Sequence, residues 1–122
     1  CGFAAVQLPF NVQMADAFTV EAHSHDGDRV SALAFAHREN LSVFTSASLG
    51  QGELTTDGAI PPAVAAELDG DTPAQRALNF ARSAPAVTAA LAGARDVSHL
   101  RENVAAGTFD PMGASQFDDV FE

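Results

Sequence analysis

Three polar residues near the C-terminus have the spacing of one helical face. His99, Glu102 and Asn103 stand at i, i+3 and i+4, so in a helix their side chains are within reach of one ligand. Arg95 lies just before this helix, whose start offers free N–H groups and the positive end of the helix dipole. Together these features favour the binding of a phosphate group at the start of the helix. A structural strand–turn–helix unit has the same pattern, so ordinary packing is the alternative.

The elements that would position these residues are a strand and the helix that follows it. Residues 87–93 are an apolar run that ends at Gly93, which predicts a strand buried on both faces. Asp96 is a good N-cap for the helix. The helical period predicts that the helix buries the stripe Val97, Leu100 and Val104.

The rest of the chain alternates between strand and helix patterns. Strands are predicted at 4–8 and 41–49, and helices at 29–38, 63–68 and 73–83, the last with Thr72 as N-cap and Pro73 at its first position. A helical turn is predicted at 20–23, and loops at 25–28 and 50–62. This order indicates an α/β fold with parallel strands. A three-stranded parallel sheet has two open edges, so we expect a slice of a larger structure.

Composition excludes several classes of partner and structure. The 122 residues contain 16 acidic and 6 basic side chains, and all six basic ones are Arg, which gives a net charge of −10. This acidic balance argues against nonspecific binding to nucleic acid or to an anionic membrane. The single Cys excludes an intramolecular disulfide. With no long apolar stretch and no signal-peptide pattern, we expect a soluble cytoplasmic protein.

Two features concern the ends of the chain. Cys1 is followed directly by a segment that has the pattern of a core strand, so we expect sequence upstream of it. Residues 1–107 are interpreted as one folded part, and residues 108–122 as a loose polar C-terminal tail.

Three ordered segments carry a resemblance to the aldo/keto reductases, a family of (β/α)8 barrels that transfer hydride from a nicotinamide coenzyme. Residues 75–106, QRALNFARSAPAVTAALAGARDVSHLRENVAA, are similar to the family's last barrel helix, eighth strand and coenzyme-binding helix. Residues 45–54, TSASLGQGEL, resemble the segment after the seventh strand, and residues 6–11, VQLPFN, resemble the sixth strand. The resemblance implies a partial TIM barrel, strands six to eight with their helices.

On the nicotinamide side, the resemblance implies the following roles. Gln7 hydrogen-bonds the carboxamide of the nicotinamide, and Leu49, Gly50 and Gln51 lie along the pyrophosphate. Ser46 stands where the family usually has an aromatic residue that stacks on the nicotinamide, and a serine cannot stack. The implied substrate of the full barrel is a small aldehyde or ketone, which is reduced to an alcohol.

On the adenosine side, the resemblance implies that Gly93 and Arg95 flank the 2′-phosphate or the ribose, with His99 beside them. Glu102 and Asn103 hold the adenine amine and the ring edge. The implied coenzyme is NADP, with NAD as the alternative.

The residues for the chemical step are missing from this pattern. The family's catalytic Asp, Tyr, Lys and His belong to the first half of the barrel, and this sequence contains no Lys and no Tyr. Because hydride transfer to a carbonyl needs a proton donor, we expect the chain to be inactive by itself. The alternatives are a non-catalytic α/β binding or interaction module and a nonfunctional truncated remnant.

A metal site is a further alternative. His23, His25, Asp26 and Asp28 lie close together in the sequence, and imidazole and carboxylate groups bind divalent metals. Such clusters are usually solvated loop residues, which is the interpretation we favour.

Overall fold

The structure is a computed structural model that describes residues 2–121, without the side chain of Gln51. Its strands are β1 (Ala5–Pro9), β2 (His23–His25), β3 (Asp28–Val30), β4 (Ser42–Ser46) and β5 (Ala89–Ala90). Its α-helices are α1 (Asp16–Thr19), α2 (Ala32–Arg38), α3 (Pro62–Ala65), α4 (Pro73–Ser83), α5 (Val97–Ala105) and α6 (Ala114–Asp119). Two 3-10 helices span Gly50–Thr55 and Ala106–Thr108. In this part of the chain, no helix combines the length and apolar character needed to cross a bilayer.

The main sheet is parallel and has the strand order β1-β4-β5. Gln7 is paired with Phe44, and Phe44 with Ala89, so these three residues share one face of the sheet. The predicted α/β fold with parallel strands is therefore confirmed.

The two faces of this sheet differ in burial. Along β4, Val43 and Thr45 are fully buried on the face that packs against the core, where Val6 and Leu8 of β1 join them. On the other face Gln7 is exposed and Phe44 is half-buried. Parallel sheets are normally covered on both faces, so this sheet has an unusual open side.

The predicted last strand is wrong in extent and in burial. Of residues 87–93, only Ala89 and Ala90 are in β5, although the N–H groups of Thr88 and Leu91 also donate to carbonyl oxygens of β4. Both alanines are half-buried, and Leu91 is 43% exposed. The physical reason is that β5 lies at the sheet edge, with a neighbour on one side only. An apolar run shows that a segment can be buried, but not how many strands flank it.

The predicted helical turn at 20–23 is wrong, because residues 20–22 have no regular structure and His23 begins a β-hairpin. The second strand of this hairpin, β3, replaces the first residues of the predicted helix 29–38. Strands β2 and β3 pair antiparallel around Asp26 and Gly27, whose φ angles are 51° and 89°. Positive φ at both central residues defines a type I′ turn, and Asp-Gly is a preferred sequence for it. Helix α2 begins only after Ser31, whose hydroxyl accepts a hydrogen bond from the Ala34 N–H at 3.1 Å.

Helix α4 forms with the predicted bounds. Thr72 caps it by accepting a hydrogen bond from the Gln75 N–H at 3.2 Å, and Pro73 stands at its first position. Its predicted apolar side chains, Ala77, Leu78 and Ala81, are buried. Helix α3 begins one residue earlier than the predicted helix 63–68, and it also ends earlier, at Ala65. A 3-10 helix occupies part of the predicted loop 50–62.

An aromatic cluster joins the C-terminal segment to the core. Phe10, Phe80 and Phe117 are fully buried, with ring centroids 5.8 Å apart for Phe10–Phe80 and 5.1 Å for Phe80–Phe117. Phe18 packs edge-on against Phe117 at 5.0 Å. The Met112 N–H also donates to the hydroxyl of Ser83 at 2.9 Å. The expectation of a loose tail at 108–122 is therefore wrong, since Phe117 on α6 completes the core.

The first prediction concerns Phe117. Replacing Phe117 by Ala removes a ring that contacts four other aromatic side chains. We expect the free energy of unfolding to fall by about 3–5 kcal/mol, the usual cost of such a deletion in a core. Urea denaturation measures this loss. Phe3→Ala is the matched control because Phe3 is 86% exposed, and equal small effects of the two substitutions would contradict the described core.

Candidate functional site

A cavity of about 800 Å³ lies at the carboxyl ends of β4 and β5. One wall is formed by residues 47–49 with Gly52 and Thr55, and the other by residues 91–96 with the first turns of α5. Ala74 of α4 also lines it. The volume is within the range of cavities that bind small molecules and coenzymes.

The structure brings six of the predicted site residues together around this cavity. They are Leu49 on the first wall and Gly93, Arg95, His99, Glu102 and Asn103 on the second. His99, Glu102 and Asn103, which the helical spacing placed on one face, all line the same cavity. Their roles toward a ligand remain predictions.

The other predicted residues are placed differently. Gln7 and Ser46 belong to the open face of the sheet and do not line the cavity. Gly50 follows the lining residue Leu49 with a φ of 58°, and a Cβ there would come within 3.2 Å of Leu54 Cγ. The side chain of Gln51 lies outside the described residues.

The first wall is fixed by buried hydrogen bonds. The hydroxyls of Thr45 and Ser48 are 2.9 Å apart and both side chains are fully buried. The Gly50 N–H donates to the carbonyl oxygen of Ala47 at 2.8 Å, which closes a turn. Ala47 has a φ of 54°, a left-handed conformation that costs an alanine about 1 kcal/mol or more. Strain of this kind persists only where surrounding contacts hold it.

Asp96, which lies on the second wall, is the N-cap of α5, as predicted. The carboxylate of Asp96 accepts hydrogen bonds from the hydroxyl of Ser98 at 2.6 Å and from the His99 N–H at 2.9 Å. The Ser98 hydroxyl, and after it the His99 N–H, lower the pKa of Asp96 below its ordinary value. The start of α5 therefore already carries a negative group.

Arg95 is exposed at the same wall, and in the described part of the chain it forms no ion pair with a carboxylate. Its guanidinium is available to a ligand anion. Because Asp96 occupies the His99 N–H, such an anion is expected beside Arg95 and away from the Asp96 carboxylate.

The predicted buried stripe of α5 is wrong. Val97, Leu100 and Val104 are 61%, 53% and 69% exposed, and no residue of α5 is fully buried. The contact of α5 with α4 instead includes a hydrogen bond, in which the Gln75 side-chain amide donates to the Glu102 backbone carbonyl oxygen at 3.1 Å. The helical period identified an apolar face, but the neighbour that the helix packs against is polar.

The remaining wall residues were not singled out from the sequence. They include Ala47, Ser48, Thr55, Ala74 and Leu91. Small side chains such as Ala47 and Ala74 have no distinctive sequence signal. Only the fold shows that they face the cavity.

The histidines of the hairpin have structural contacts. The rings of His23 and His25 both pack on Phe35 of α2, with centroids 5.9 Å and 5.5 Å from it. The Nε2 atom of His25 lies 2.7 Å from Glu39 Oε1. Among the described residues, no three His, Cys, Asp or Glu side chains are arranged to hold a metal ion. These contacts attach the hairpin to α2.

No family model matches this chain, and no curated protein matches it. The assignment of a function therefore depends on the geometry of the cavity and on the residues that line it.

The second prediction follows from the lowered pKa of Asp96. A lowered pKa means that the ionised cap stabilises the folded state above about pH 4, and that this stabilisation is lost as the pH falls through the folded-state pKa. The stability advantage of the native chain over Asp96→Asn is therefore expected to be larger at about pH 6 than at about pH 2.5.

Urea denaturation at a series of pH values measures this difference. Asp57→Asn is the control, since Asp57 is an exposed carboxylate whose removal changes the net charge equally. An advantage over Asp96→Asn that is the same at both pH values would contradict the role given to the cap.

Proposed function

We propose that this chain is the coenzyme-binding part of an NAD(P)H-dependent oxidoreductase of the aldo/keto reductase type, which reduces aldehydes and ketones to alcohols. The proposal includes its architecture, strands six to eight of a (β/α)8 barrel. The observation that best supports the proposed function is that two segments far apart in the sequence, 47–55 and 91–103, form the walls of one cavity. These are the segments that the resemblance assigns to coenzyme binding.

The chemistry of the wall residues supports a dinucleotide as the ligand. Arg95 provides a cation for a phosphate group, and the Glu102 carboxylate can accept a hydrogen bond from an exocyclic amine such as that of adenine. The amide of Asn103 can both donate and accept at the edge of a base, although its Nδ2 is 3.4 Å from the Gly93 carbonyl oxygen. In the proposal, the pyrophosphate runs along Leu49, Gly50 and Gln51.

The chain's part in the reaction is to bind and orient the coenzyme. The nicotinamide ring, when bound, supplies the hydride. A carbonyl oxygen that receives a hydride also needs a proton, and this sequence has neither a Tyr nor a Lys for that role. The proposal therefore assigns no catalytic residue within this chain, and places the proton donor on another part of the complete enzyme.

A second candidate function is supported by a different observation. The exposed stripe Val97, Leu100 and Val104 and the open face of the sheet are typical of a surface that contacts another protein. A non-catalytic interaction module would use these surfaces and would have no need of the cavity.

The third prediction separates the two functions by calorimetric titration with NADPH and NADH. We expect saturable binding of NADPH, and a Kd that rises about tenfold or more in Arg95→Ala, because a charge-assisted contact to phosphate is lost. Arg101→Ala is the matched control, since it removes the same charge from an exposed position on α5 that does not line the cavity.

The two coenzymes distinguish the position of Arg95. If Arg95 contacts the 2′-phosphate, its removal weakens NADPH binding more than NADH binding. Equal effects of Arg95→Ala and Arg101→Ala would exclude a specific contact. No binding of either coenzyme to the native chain would exclude a working site in this chain and favour the interaction module.

A further inference from the structure

We propose that Asn11 is a positioning residue for the cavity: its side chain fixes the backbone of the first wall at residues 47–49. This inference rests on the proposed function, because it treats the cavity as a dinucleotide site. Asn11 lies in the loop after β1, outside the cavity, and has no assigned part in coenzyme binding.

The side chain of Asn11 is buried, with 3% exposure, and both of its polar atoms are used. Its Nδ2 donates to the carbonyl oxygen of Ala47 at 2.8 Å, and its Oδ1 accepts from the Gln13 N–H at 2.8 Å. The neighbouring Phe10 N–H donates to the Ser46 carbonyl oxygen at 3.1 Å, which aligns the two loops. Asn11 is thus a rigid link between the ends of β1 and β4.

The atom that Asn11 holds belongs to the most constrained residue of the wall. Ala47 has a φ of 54°, and its carbonyl oxygen also accepts the Gly50 N–H at 2.8 Å. Two donors therefore converge on one carbonyl oxygen and hold an alanine in a conformation that alanine disfavours. Without Asn11, only the Gly50 N–H would hold it.

The constraint lies at the cavity and not in the sheet. The pairing of β1 with β4 ends at Ser46, so the ladder does not require a left-handed Ala47. The residues whose direction this conformation sets are Ala47, Ser48 and Leu49, and all three line the cavity. When the wall is already ordered before binding, the binding free energy does not have to offset the cost of ordering the wall.

Three variants and one control test the inference. Asn11→Ala removes the link, and the double variant Asn11→Ala/Ala47→Gly removes it from a chain in which the left-handed conformation is unstrained. Ala47→Gly is the parent of the double variant. Thr88→Ala is the control, because it removes a comparable side-chain bond to the backbone of β4, from the Val43 N–H to Thr88 Oγ1 at 2.9 Å, away from the cavity.

The first readout needs no ligand. Hydrogen exchange of the Gly50 amide reports whether the turn at Ala47 stays closed. We expect this amide to exchange about tenfold faster in Asn11→Ala, the effect of one lost hydrogen bond, and to change little in Thr88→Ala. Unchanged exchange in Asn11→Ala would overturn the positioning role.

The second readout is the Kd for NADPH, measured beside the thermal unfolding midpoint. We expect Asn11→Ala to raise the Kd about tenfold, and glycine at position 47 to recover part of this loss. Thr88→Ala is expected to lower the midpoint and leave the Kd unchanged. A purely structural Asn11 would instead lower the midpoint and leave the Kd unchanged, which overturns the inference.

Two further experimental results bear on the inference. If Asn11→Ala does not fold, the comparison of the double variant with Ala47→Gly gives the same two readouts. If the native chain binds neither coenzyme, the proposed function fails and Asn11 loses its part in binding, while the Gly50 exchange still shows whether it fixes the turn.

Discussion

The position of α5, and with it the second wall of the cavity, depends on hydrogen bonds from the polar side of α4. Helix α5 has no fully buried residue, so apolar burial does not hold it. The Gln75 amide donates to the Glu102 carbonyl oxygen, and Arg82 Nη1 donates to the carbonyl oxygens of Ala106 and Phe109 at 3.1 Å and 2.7 Å. Each such bond contributes about 1 kcal/mol, and one to a charged donor contributes more.

Helix α4 also holds the segment that precedes it and the segment that follows α5. Asn79 is fully buried, and its Nδ2 donates to the carbonyl oxygens of Asp69 and Asp110 at 3.1 Å and 2.9 Å. On its apolar side, Phe80 packs in the aromatic cluster with Phe10 and Phe117. Helix α4 therefore joins an apolar core on one side to a hydrogen-bonded layer on the other, and the layer supports the site.

The location of the cavity follows from the parallel sheet. The loops after β4 and β5 leave the same edge, since neighbouring parallel strands end side by side. Binding sites in α/β proteins commonly occupy this edge. The first wall is held by two buried hydrogen bonds, one between the hydroxyls of Thr45 and Ser48 and one from Asn11 to the Ala47 backbone. The second wall carries the charged and amide groups. The first wall can determine the shape of the cavity, and the second can form the polar contacts that recognise a ligand.

Features set by neighbouring residues could be predicted from the sequence. Thr72 and Asp96 cap their helices because a cap needs only the next few N–H groups. The hairpin turn was equally local, since Asp26-Gly27 is a known signal, but the short flanking segments did not show strand alternation. The shared face of His99, Glu102 and Asn103 was also predictable, because helical spacing alone determines it.

Features set by distant residues could not be predicted. The apolar stripe of Val97, Leu100 and Val104 does exist on α5, but it is not buried. The sequence does not show that α4 offers polar partners on the opposite side. Phe117 lies in the polar segment 108–122, whose composition does not indicate a packed helix. The bond from Asn11 to Ala47 joins residues 36 positions apart and had no sequence signal.

The central claim, that residues 47–55 and 91–103 form one dinucleotide site, is tested most directly by NMR. Amide shifts of the isotope-labelled chain are followed while NADPH is added. We expect saturable changes concentrated in those two segments, with the same Kd for both, while β2, β3 and the exposed side of α5 change little. Changes in only one segment, or changes centred on Leu100 and Val104, would contradict it.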